Sequence, residues 1–136
     1  MPRESNLELA TKLREVLADL ESALGNLKGV PSSIEEAALE RWLQLGIQLS
    51  MDLGDRILTS RGVDEPPRAR DIFDNLASLG VLTKQQSAQM VRLVSLRNQL
   101  VHDYGEFTAA TTPALATRAL AVLQDVAKAL TRSLPE

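Results

Sequence analysis

The stretch from Ser32 to Ser60 reads as one long helix with two apolar faces, and such a helix has to be covered on both. One ladder at helical spacing is Ala38, Trp42, Leu45, Leu49, Leu53 and Ile57; the second is Leu39, Leu43, Ile47, Met51 and Leu58. A helix with a single buried stripe carries a narrower pattern. The excess suggests a helical bundle on one side and a partner chain on the other. Gly46, Ser50 and Gly54 recur every four residues as a smooth strip where a second backbone can come close. Close packing inside one chain explains that strip equally well, and both readings stand at this level.

The rest of the chain supplies the other helices. Leu9, Leu13, Val16, Leu17, Leu20, Leu24 and Leu27 mark a first helix from Asn6 to Leu27, ended by Gly25, Gly29 and Pro31. The second starts at Ser32 or Ser33, with Glu35 and Glu36 where the helix dipole favours them, and Gly62 closes it. After the loop Asp64-Glu-Pro-Pro67, a short helix spans Arg68 to Leu79 and Gly80 ends it. A fourth runs from the cap Thr83 to Tyr104, with Gly105 at the C′ position. The fifth spans Pro113 to Ser133 on the ladder Leu115, Ala119, Val122, Val126 and Leu130. Apolar residues make up 44% of the chain and aromatic ones only 3%, a balance that suits packed helices better than a sheet. The expected fold is all-α: a four-helix bundle with a short additional helix, one domain over residues 1–136.

Composition narrows the chemistry. With no cysteine there is no disulfide and no Cys-ligated metal. The absence of an apolar leader or of about 18 consecutive apolar residues predicts no membrane span and a cytoplasmic location. One histidine and scattered carboxylates make a poor zinc or iron site, so neither metal nor cofactor is expected. A net charge of −3 argues against generic, charge-driven nucleic-acid binding. A local basic surface remains open, because Arg56, Arg61, Arg68 and Arg70 lie in one stretch while Arg92 and Arg97 sit on the fourth helix.

The segment Ser95-Leu-Arg-Asn-Gln-Leu-Val-His-Asp-Tyr-Gly105 holds the only histidine and the only tyrosine. Met90, Val94, Arg97, Val101 and Tyr104 form one helical ladder, in which Arg97 stands where a leucine is expected. A charge in that slot is costly unless it is paired or lines a cleft. Ser95, Asn98 and His102 form a neighbouring polar ladder. Arg97 and His102 point roughly 140° apart on an ideal helix and meet poorly within one chain. Two copies facing across a twofold axis remove that difficulty. The plainer alternative is that Arg97 and His102 stabilise the carbonyl end of their helix.

Arg97-Asn-Gln-Leu-Val-His102-Asp-Tyr104 resembles the R-x4-H-x-Y signature of HEPN-domain proteins, in particular the HepT-like toxin branch. Glu40–Leu45, Met51–Arg56 and Arg70–Leu82 resemble the same branch, so the likeness runs from about Ile34 to Phe107. It implies an all-α homodimer whose paired motif helices form a composite cleft, and a metal-independent endoribonuclease acting on RNA there. His102 would then be general base or acid at the ribose 2′-hydroxyl, Arg97 would hold the scissile phosphate, and Asn98 would orient either. The resemblance also implies a nucleotidyltransferase antitoxin that silences the toxin by transferring AMP to Tyr104. Two other functions compete: a non-catalytic subunit that binds nucleotide or docks to a nucleotidyltransferase, and a purely structural helical dimer.

Overall fold

A computed structural model describes residues 4–63, 68–102 and 111–135, with the backbone alone at 99–102. The loop at 64–67 and the positions of Asp103, Tyr104 and Gly105 lie outside the described residues. Those described form five helices and no strand: α1 (Asn6–Gly25), α2 (Ser33–Ser60), α3 (Ala69–Ser78), α4 (Lys84–His102) and α5 (Thr112–Arg132). The all-α expectation, four long helices and one short one, holds.

Helix boundaries follow from side chains that bond their own backbone. Ser32 caps α2: its hydroxyl accepts from the Glu35 amide at 3.2 Å, and the Glu35 carboxylate accepts from the Ser32 amide at 2.9 Å. Thr83 and Gln86 repeat this reciprocal pair at the start of α4, at 3.0 and 2.9 Å. Glycines with positive φ end α2 and α3: Gly62 at 77° and Gly80 at 78°. The Val63 amide then donates to Leu58 and the Val81 amide to Leu76, both at 3.0 Å, which satisfies carbonyls the helix leaves open.

Helix α2 is the hub, in contact with each of the other four helices. α1 packs on α2 and α5, and α4 on α2, α3 and α5; α1 and α4 do not touch among the described residues, so they occupy opposite corners. Leu39, Leu43, Ile47, Met51 and Leu58 are all buried, as the second ladder predicted. Leu13, Leu20, Phe73, Leu76, Met90 and Leu123 close over them from the other helices. Each such side chain contributes about 1.5–3 kcal/mol relative to exposure.

The first ladder divides. Leu53 and Ile57 are fully buried in the half of α2 that α3 crosses, whereas Trp42, Leu45 and Leu49 are half-buried in the other half. The small-residue strip is used within the chain. A Cβ on Gly54 would come within 2.9 Å of Ile72 and Leu76 on α3, and one on Gly46 within 3.2 Å of Leu123 on α5 and 3.3 Å of Leu17 on α1. Ser50 is buried, its hydroxyl donating to the Gly46 carbonyl at 2.8 Å. The apolar surface that α2 leaves half-buried is therefore Trp42, Leu45 and Leu49, without the strip.

Candidate active site

Met90 and Val94 are buried, and the next position of their ladder is Arg97, half-buried on the face α4 turns toward α2. Its guanidinium reaches α2: Nη1 donates to the amide oxygen of Gln48 at 2.8 Å and lies 3.6 Å from the Met51 sulfur. Nη2 donates to the amide oxygen of Asn98 at 3.0 Å. Nε is buried and finds no hydrogen-bond partner among the described residues. Gln48 is itself held, because its amide nitrogen donates to Asp52 at 3.0 Å, one helical turn further along α2.

The chemical consequence lies in the partners' charge. Both groups bonded to Arg97 are neutral amide oxygens, and among the described residues no carboxylate forms an ion pair with it. These hydrogen bonds fix the guanidinium without neutralising it, so among the described residues its positive charge is left to an anion such as a phosphate. Asn98 is exposed beside it, as is Ser95 on the same polar face.

Of the residues expected from sequence, Arg97 and Asn98 are brought together directly. His102 is the last residue of α4, and its side chain lies outside the described residues, as does the whole of Tyr104. Gln48 and Asp52 were not expected. Their signal was a four-residue spacing of polar side chains, Glu40, Gln44, Gln48 and Asp52, all half-buried along a helix otherwise dominated by apolar ladders.

The basic stretch does not act as one patch. Arg56 turns back to the N-terminal segment, donating to Asn6 at 3.1 Å and to the Glu4 carbonyl. Arg68 pairs with Asp71 at 3.6 Å. Arg61, Arg70 and Arg92 are exposed.

The all-helical bundle has the fold of solved HEPN toxins. The chain superposes on the tri-AMPylated Shewanella oneidensis HEPN toxin, solved in complex with MNT antitoxin, with a TM-score of 0.84 and 17% identity over 96% of this chain and 99% of that one. At that identity the likeness is one of fold. The cytosolic protein YutE of Bacillus subtilis, of unknown function, superposes with a TM-score of 0.71 and 25% identity, over 90% of this chain and 87% of that one. Sequence comparison narrows the class to a family. The profile described as Ribonuclease HepT-like matches residues 7–130. The tRNA nuclease HepT of Aphanizomenon flos-aquae (strain 2012/KM1/D3) is 31% identical over 104 residues, 76% of this chain and 69% of that protein. The chain belongs to the HepT-like family.

Proposed function

We propose that this protein is the toxin of a toxin–antitoxin pair: a metal-independent endoribonuclease whose cleft forms between two copies of the chain. The observation that carries the reading is the Arg97 guanidinium, fixed by Gln48 and Asn98 and neutralised by none of the described residues. Family membership and a relative named as a tRNA nuclease support it and make tRNA the first substrate to test.

In this scheme the ribose 2′-hydroxyl attacks the adjacent phosphorus while His102 takes its proton, a task suited to an imidazole near neutral pH. The bond to the 5′-oxygen breaks, and that oxygen receives a proton from the partner subunit's His102. A 2′,3′-cyclic phosphate and a 5′-hydroxyl result. Arg97 binds the phosphate and stabilises the charge that builds on its oxygens. Both proton transfers and the charge stabilisation come from side chains, which is why no metal enters. Helix geometry supports a twofold arrangement, since residues five apart on one helix point roughly 140° apart and meet more easily across two copies.

Silencing follows from the same charge. A nucleotidyltransferase partner transfers AMP to Tyr104, two positions after His102 in the sequence, and the added phosphate competes with RNA for Arg97. A neighbouring fold captured tri-AMPylated with an MNT antitoxin supports this part. The test is cleavage of tRNA by purified protein in EDTA, with mass spectrometry after incubation with a nucleotidyltransferase of the MNT antitoxin type and ATP. EDTA-resistant cleavage ending in cyclic phosphates is expected. No cleavage, with a stable complex still formed, establishes the non-catalytic docking subunit instead.

A further inference from the structure

The link from Arg97 to α2 has more order than a single hydrogen bond. A glutamine side chain has a donating end and an accepting end that are nearly alike in shape, and an arginine can use only the accepting one. Something must decide which end faces Arg97. Asp52 does so: an ionised carboxylate only accepts, so it draws the Gln48 amide nitrogen toward itself at 3.0 Å. The Gln48 oxygen is thereby turned to Arg97, which it meets at 2.8 Å.

We infer that Gln48, oriented by Asp52, is the positioning residue that aims the Arg97 guanidinium, and that its neutrality keeps Arg97 available to a phosphate. A carboxylate at this place would hold the guanidinium equally well but cancel its charge. An apolar residue would leave it charged but unaimed. Glutamine backed by aspartate does neither, because the negative charge sits one side chain further from the guanidinium. This inference rests on the proposed nuclease role of Arg97, and it specifies how that residue is prepared for the reaction.

The experiment joins kinetics to a direct view of the guanidinium. Gln48→Met keeps the side chain's length and removes the acceptor; a misaimed group costs about 10²-fold in rate, so kcat for RNA cleavage is expected to fall by that order with KM little changed. Gln48→Glu restores the acceptor, so kcat is expected to recover while KM rises, the new charge competing with RNA. Asp52→Asn frees the amide to turn over and is expected to fall between wild type and Gln48→Met. Side-chain NMR of the RNA-free protein should show separate Nη1 and Nη2 signals for Arg97 in wild type, merging in Gln48→Met. The inference is overturned if Gln48→Met matches wild type while Arg97→Ala is inactive. It is overturned equally if the wild-type Nη signals are already averaged, or if Gln48→Glu is as slow as Gln48→Met. A wild type that cleaves no RNA sinks the nuclease reading, whereas the NMR comparison still decides whether Gln48 aims Arg97.

Discussion

Arg97 on α4 and Gln48 on α2 meet at 2.8 Å although 49 positions separate them in the chain. The contact crosses the packing between the hub helix and the helix that carries the candidate chemistry. Among the described residues it fixes a cation at its tip by neutral bonds, the condition under which an arginine is both ordered and free to take an anion. Helix α4 is thus braced by α2 at the point where Arg97 follows the buried Met90 and Val94.

Removing the charged or proton-transferring groups should stop the reaction without dissolving the fold. Arg97→Ala and His102→Ala are each expected to lower cleavage on the order of 10²–10⁴-fold. Circular dichroism should stay helical for Arg97→Ala, because Arg97 is not among the buried apolar side chains of the core, and the same is expected of His102→Ala. Either variant retaining wild-type cleavage of tRNA would remove that residue from the mechanism.

The two glycines of α2 should respond unequally to alanine. Gly54→Ala drives a methyl to within 2.9 Å of Ile72 and Leu76, and overpacking of this kind costs about 1–3 kcal/mol. Gly46→Ala meets only side-chain ends, at 3.2 and 3.3 Å, and the gain of about 0.5–1 kcal/mol in helix propensity offsets much of its strain. Thermal melts should show a lowered Tm for Gly54→Ala and a smaller change for Gly46→Ala. A rise in Tm for Gly54→Ala would contradict the close approach of α3.

Phe73 anchors α3 in the core and is fully buried. Phe73→Ala should cost about 3–5 kcal/mol. Because α3 packs on both α2 and α4, hydrogen exchange should accelerate along α4 as well as α3. Exchange confined to α3 would show that it does not brace the motif helix.

Tyr104 should separate toxicity from its control. Tyr104→Phe keeps the ring and loses the hydroxyl that would accept AMP, so the variant should still cleave RNA but resist silencing by the nucleotidyltransferase. Growth of cells expressing both proteins reads this out: arrest is expected with Tyr104→Phe and rescue with wild type. Rescue of both would place the modified group elsewhere.

Much of this was legible because the relevant physics is local. Ser32, Thr83, Gly62 and Gly80 mark helix ends through bonds that span only a few residues, and each acts where the sequence placed it. The second apolar ladder of α2 is buried in full, since periodicity alone reports a face that faces a core. Arg97 was legible as an intruder on the Met90–Val94 ladder. Gln48 and Asp52 were not, because a polar pair four apart on a helix looks the same whether it faces water or an arginine.

The sequence by itself determined five helices, the caps of α2 and α4, the bundle class and the position of Arg97 and Asn98 on one helix, because hydrogen bonding and hydrophobic period act over a turn or two. Only the tertiary structure decided what Arg97 touches, where the glycine strip of α2 is used, and which half of its first ladder α3 crosses. Those outcomes depend on how α2 is rotated against α3, α4 and α5. That rotation is set by side chains packing across tens of residues of chain, and no local pattern encodes it.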